Sequence, residues 1–225
     1  MVNVIKKIII GAGLAIMLLG GGALGLMYFV SQPTKGPAIE NYANPRKALL
    51  VIDIQEDFTG KTARQPFPYK NSEELIANSN RVIEKAQAKG MTVIYIRQEF
   101  GGFIGTLISK FFVGGTVLEG SSGAAVDSRI KIVSPNNFSK PRSDSFSSEA
   151  FERFLVANRI NELYLAGLDG EACVYRTALG ALNRKYKVHV ITDAIVLFKE
   201  ENRPALFEKF GAAGITMLKS TEFLK

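Results

Sequence analysis

Apolar residues come in two rhythms along this chain. Short, nearly continuous runs stand at 48–53 (ALLVID), 92–96 (TVIYI), 163–166 (LYLA), 188–192 (VHVIT) and 215–218 (ITML). Runs of this length predict strands buried on both faces. NFSK at 137–140 is a shorter strand candidate. Between the runs, apolar residues recur at helical spacing. Leu75, Ile76, Val82, Ile83 and Ala86 form one face of a helix that Asn71 and Glu74 open and Gly90 closes. Phe151, Phe154 and Leu155 mark a second helix, with Ser147 as its expected N-cap. Val174, Ala178, Ala181 and Leu182 mark a third, and Pro204 sits in the first turn of a fourth. Strand and helix alternate throughout. The expected fold is a three-layer α/β/α domain over 48–225, built on a mostly parallel, doubly wound sheet.

The stretch 100–137 breaks the rhythm. It reads as long and irregular, with apolar patches at 103–104, 107–108 and 111–113, and a connection of that length predicts a lid or pocket wall.

A different pattern opens the chain. Residues 8–30 contain no charged side chain, Lys6 and Lys7 precede them, and Tyr28 and Phe29 close them. A helix of that length is roughly 35 Å long, enough to cross a hydrocarbon core of about 30 Å. A secretory signal shares the positive start, but its apolar core is shorter, at about 7–15 residues. Residues 1–30 are therefore expected to be an uncleaved membrane anchor with one transmembrane helix at 8–30. Residues 31–47, with Pro33, Pro37 and Pro45, follow as a linker. Lys6 and Lys7 put the N-terminus in the cytoplasm, so the expectation is a single-pass protein with its domain on the extracytoplasmic side.

Composition changes little in this picture. The formal charge is +7, from 28 basic and 21 acidic residues. The basic residues are dispersed rather than interleaved with aromatics, which argues against nucleic acid as a partner and leaves either an ordinary solvated basic surface or attraction to anionic lipid. A single cysteine excludes an intramolecular disulfide.

That cysteine, Cys173, is predicted just past the carboxyl end of the 163–166 strand, in the first turn of the following helix. A lone cysteine is commonly a small buried hydrophobe. This position, however, is where open α/β sheets hold ligands, and a helix N-terminus favours a thiolate. Asp53 and Lys140 end two other strands at the same sheet edge. A base to take a thiol proton and a cation to favour the thiolate complete a candidate nucleophile site.

Three motifs then give a family resemblance. LVIDIQEDF at 50–58, SKPRSDSF at 139–146, and AGLDGEACV at 166–174 with Thr177 and Ala178 are together similar to the isochorismatase-like, or cysteine hydrolase, family, which includes nicotinamidases and N-carbamoylsarcosine amidases. The resemblance covers about 47–220 and includes Asp193-Ala194. It implies Asp53, Lys140 and Cys173 as a catalytic triad acting on a small-molecule amide or carbamoyl compound through a thioester. It also implies a cis Leu168–Asp169 peptide, an oxyanion hole from the backbone N–H groups of Asp169 and Cys173, and Gln55 and Phe58 near the substrate pocket. No cofactor is expected. Nicotinamidases hold a metal after the second strand, where this chain reads RQEFG at 97–101 without histidine, so no metal is expected either. The one histidine, His189, lies in a predicted core strand. Asp169 is the residue the pattern does not explain, and homo-oligomerisation is implied only by the resemblance. Isochorismatase-type vinyl-ether hydrolysis and a non-catalytic tethered binding protein are the alternative readings.

Overall fold

The computed structural model describes residues 21–22, 25–64 and 67–223. The chain divides into two units, Met1–Gln32 and Pro33–Lys225. Of the first, residues 25–31 are helical. Most of the expected 8–30 membrane segment lies outside the described residues. Among those described, no helix is long and apolar enough to cross a membrane.

The second unit is built on six strands: β1 (Arg46–Ile52), β2 (Thr92–Gln98), β3 (Asn137–Lys140), β4 (Ile160–Gly167), β5 (Lys187–Ile195) and β6 (Thr216–Leu218). They pair in the order β3-β2-β1-β4-β5-β6, and every pairing is parallel. Each apolar run in the sequence became one of these strands. Their alternate side chains feed two cores, which is why the runs are apolar at consecutive positions. Helix α2 (Ser72–Ala88) covers one face with Leu75, Ile76, Val82, Ile83 and Ala86 buried; the four-residue α1 (Glu56–Thr59) precedes it. The other face carries a core of Leu50, Ile52, Ile94, Leu163, Leu165 and Val190. Packed on it are Phe151 and Leu155, Ala178 and Ala181, and Leu206 and Phe210. These come from α4 (Glu149–Ala157), α5 (Tyr175–Asn183) and α6 (Arg203–Ala212). Helix α7 (Ser220–Phe223) closes the described chain.

Three local expectations are corrected. Ser147 does not cap α4: its Oγ donates to the Asp144 carbonyl (2.6 Å), and Ser148 stands at the N-cap position. The 100–137 stretch is not wholly irregular, because its apolar patches join into a helix, α3 (Gly102–Phe112). The expected linker is in part fastened down. Asp144 Oδ2 accepts the Thr34 backbone N–H (2.6 Å) and hydroxyl (2.7 Å), Arg184 donates to the Lys35 carbonyl (3.2 Å), and the Ile39 N–H donates to the Arg184 carbonyl (2.9 Å). Asp144 is fully buried, and Gly180 in α5 lets it in: a Cβ there would lie 2.2 Å from Asp144 Oδ2.

The strand order reverses direction between β1 and β4. At such a switch point the loops leaving neighbouring strands part to opposite faces and open a crevice at the carboxyl edge. Asp53 follows β1, and the turn carrying Cys173 follows β4.

Candidate active site

Asp53 lies one residue beyond β1 in the left-handed conformation (φ 55°), which aspartate tolerates better than most residues. Its N–H still donates to the Ile96 carbonyl of β2 (2.9 Å). The neighbouring β4 ends at Gly167, whose φ of +120° only glycine adopts with ease. A Cβ there would fall 1.9 Å from the Ile52 carbonyl oxygen, so β4 can close on β1 only without a side chain. One residue further on, the Leu168–Asp169 bond is cis, as the family resemblance implies. A π-helical turn, Gly170–Val174, then carries Cys173 into α5.

Asp169 fastens that turn. Its Oδ1 accepts the Glu171 (2.8 Å) and Ala172 (3.1 Å) N–H groups, and its Oδ2 accepts the Phe198 N–H (2.5 Å) and the Tyr69 hydroxyl (3.4 Å). Burial raises its pKa despite these donors. A residue the sequence left unexplained is thus the cap of the Cys173 turn.

Lys140, the last residue of β3, completes the arrangement. Its side chain is fully buried, and Nζ lies 2.9 Å from Asp53 Oδ2, 3.3 Å from Cys173 Sγ and 2.7 Å from Gln98 Oε1. The Arg142 carbonyl accepts a further bond at 3.2 Å. Burial opposes the ammonium charge, but Asp53 and Cys173 together outweigh it and hold the lysine pKa above its ordinary value. The cation is therefore permanent at neutral pH. The three candidates, from three strand ends, meet around one ammonium group.

The thiol departs from expectation. Burial first, and then the Asp53 charge, push the Cys173 pKa up to about 12, against a smaller lowering by Lys140. The group rests as a protonated thiol, not the thiolate predicted from its place at a helix start. Asp53 Oδ1 has no hydrogen-bond partner among the described residues, so a carboxylate oxygen is free to take a proton.

The two pocket candidates, Gln55 and Phe58, stand behind the cavity lining rather than in it. Gln55 is fully buried and already engaged: Nε2 donates to the Gln98 (2.9 Å) and Ala124 (2.8 Å) carbonyls, and Oε1 accepts the Gln98 N–H (2.8 Å). It ties the loop after β1 to β2 and has no free donor for a ligand. Phe58 is buried behind Phe67, ring centroids 5.0 Å apart. The cavity beside the Cys173 turn has a volume of about 450 Å³. Phe67, Tyr69, Phe112 and Phe198 line it together with Asp169 and Ala172. Tyr69 joins it to the Cys173 turn through its hydroxyl, 3.4 Å from Asp169 Oδ2, and burial followed by the Asp169 charge raises its pKa. Sequence reading missed Phe67, Tyr69 and Phe198. The available signals were aromatics in a stretch of irregular chain (Phe67, Tyr69) and an aromatic just beyond the carboxyl end of β5 (Phe198).

The isochorismatase domain model matches residues 47–222. The chain belongs to the isochorismatase family. An Arabidopsis thaliana protein described as a probable inactive nicotinamidase is 30% identical over 156 residues, 65% of this chain and 79% of that one. The Escherichia coli nicotinamidase is 26% identical over 204 residues, 77% of this chain and 94% of that one. The crystal structure of N-carbamoylsarcosine amidase from Thermoplasma acidophilum superposes with a TM-score of 0.64 at 26% identity, covering 78% of this chain and 96% of that one. Nicotinamidase and N-carbamoylsarcosine amidase are, by name, hydrolases of non-peptide C–N bonds, and this chain is an isochorismatase-family hydrolase. The metal site of nicotinamidases does not fit the residues here. Arg97 pairs with Glu99, His189 stacks on Tyr164 (4.5 Å) beside Glu162, and among the described residues no group of three His, Cys, Asp or Glu side chains converges.

Proposed function

We propose that the domain hydrolyses a small amide or carbamoyl C–N bond through a thioester on Cys173. The observation that carries this reading is the buried Lys140 ammonium bridging Asp53 Oδ2 (2.9 Å) and Cys173 Sγ (3.3 Å). A thiol with a pKa near 12 attacks only if its proton leaves as the bond forms, so a base must stand beside it.

Asp53 takes the thiol proton while Sγ bonds to the substrate carbonyl carbon. Charge collects on the carbonyl oxygen, which the N–H groups of Asp169 and Cys173 are assigned to hold. The C–N bond then breaks, and Asp53 returns the proton to the departing nitrogen. Water, deprotonated by Asp53, attacks the thioester; the C–S bond breaks, and the proton passes to Sγ. Lys140, 2.9 Å from Asp53 Oδ2, holds that carboxyl group in place through both halves. The carboxylate of Asp169 is itself occupied by three backbone donors.

The test is ammonia release from a panel of small amides and carbamoyl compounds, with intact-mass trapping of an acyl adduct on Cys173. The reading expects Cys173→Ser to abolish turnover and adduct together. Amide turnover that survives the substitution would overturn the thioester route, and a protein inert toward the whole panel would favour vinyl-ether hydrolysis or a binding role.

We further propose that residues 8–30 anchor the chain across a bilayer with the domain on the extracytoplasmic side. The uncharged run and the preceding Lys6 and Lys7 support this. Single cysteines at 40–46 in a Cys173→Ser background should react with a membrane-impermeant maleimide on intact cells. Labelling that requires lysis overturns the orientation.

A further inference from the structure

Helix α3 carries an apolar stripe that the domain does not bury. Phe103 and Phe111 are each 77% exposed and Ile104 is 55% exposed, while Ile108 and Ser109 of the same helix are buried. Helical spacing puts Phe103, Leu107 and Phe111 in line, with Lys110 beside them. Phe112, 43% exposed, turns toward the cavity, and Phe198, 53% exposed, stands across its mouth. Exposed aromatics of this size in one neighbourhood mark an interaction surface rather than ordinary scatter.

The charges around the stripe narrow the partner. No acidic residue lies in α3. Arg64 donates to the Gly115 carbonyl just beyond the helix (3.5 Å), and Lys199 lines the cavity mouth next to Phe198. Arg64, Lys110 and Lys199 are all exposed. Of the nearby acids, Glu119 sits by Gly101 at the start of α3, at the Phe103 end of the stripe and away from the three basic residues, and Glu171, in the cavity lining, accepts a bond from Asn202 (2.9 Å). We infer that this face docks on an anionic lipid surface, with the Phe103–Phe111 stripe in the acyl boundary and the three basic residues among the headgroups.

Two physical points favour lipid over a second copy of the chain. A two-fold dimer through this face would set like basic rims against each other, whereas an anionic headgroup layer complements them. A lysine inside an apolar stripe also suits an interface where its stem lies in the hydrocarbon and its ammonium reaches phosphate. The inference uses the anchor only for proximity to a bilayer and does not depend on the chemistry proposed for Cys173.

The chain contains no tryptophan, so a single introduced one reports its own site. The full chain with Phe111→Trp is reconstituted into vesicles of phosphatidylcholine and phosphatidylglycerol, with and without bromine on the acyl chains. Ile132→Trp, at another exposed apolar position, is the control. Docking predicts about twofold bromine quenching at 111, with little at 132, because an interfacial helix lies roughly 5–10 Å into the acyl boundary. Adding Arg64→Glu, Lys110→Glu and Lys199→Glu should remove most of that quenching, with circular dichroism verifying the fold. Equal quenching at both sites, or none at 111, overturns the proposal. So does a blue shift that grows with protein density and never responds to bromine, which would identify a second copy as the occupant. Flotation of the same samples reports the 8–30 anchor separately.

Discussion

Cys173 should behave as an unusually weak acid, and its two neighbours should move it in opposite directions. Burial and the Asp53 charge carry its pKa from 9.0 to about 12. At about 1.4 kcal/mol per pH unit, this disfavours the thiolate by roughly 4 kcal/mol. Only thiolate alkylates, so iodoacetamide at pH 7 should react on the order of a thousandfold more slowly than with an unperturbed cysteine. Asp53→Asn removes a charge that raises the pKa and should bring the alkylation midpoint down. Lys140→Met removes a cation that lowers it and should drive the midpoint further up. The assay is the rate of carbamidomethylation of this sole cysteine between pH 6 and 11, followed by intact mass, with a denatured sample as the ordinary thiol. A native midpoint at or below that of the denatured sample would refute the reasoning. So would an Asp53→Asn variant that reacts more slowly than wild type.

Three other outcomes follow from the same contacts. Lys140→Met leaves the Asp53 carboxylate buried without its cation and should cost about 3–5 kcal/mol in urea unfolding. Because the folded lysine pKa is raised, the stabilisation is fully present below the ordinary value of 10.5 and should fade only as pH climbs through the folded one, which denaturation at pH 8 and 11 would reveal. Gly167→Ala forces a methyl against the Ile52 carbonyl at positive φ and should cost about 2–4 kcal/mol by the same measurement. Asp144 has its pKa raised by burial, so its folded-state penalty is absent below 3.8 and grows as pH rises through the folded value. Asp144→Asn keeps an acceptor for Thr34 and should therefore melt higher, relative to wild type, at pH 7 than at pH 3.5. The opposite trend would mean that Thr34 and Arg184 outweigh burial.

The legible parts of the site share one cause. In a parallel sheet every strand delivers its last residue to the same edge. Asp53, Lys140 and Cys173 could therefore be assigned to one rim before their distances were known. The pocket walls could not. Left-handed Asp53 breaks the strand's alternation, so sequence position no longer says which way Gln55 and Phe58 point. Phe67 and Phe198 come together across the crevice, ring centroids 6.2 Å apart, through folding alone. The Thr34–Asp144 clip joins residues 110 positions apart and has no local signature.

What the sequence determined by itself was the order of strands and helices and the sheet edge that Asp53, Lys140 and Cys173 share, because periodicity and strand ends are local properties of the chain. The tertiary structure decided the protonation of the thiol, the role of Asp169 and the shape of the aromatic cavity. Each of these depends on burial and on the distance between charges. A helix start by itself favours a thiolate. Packed beside the Asp53 carboxylate in a desolvated crevice, the same cysteine holds its proton until a base takes it.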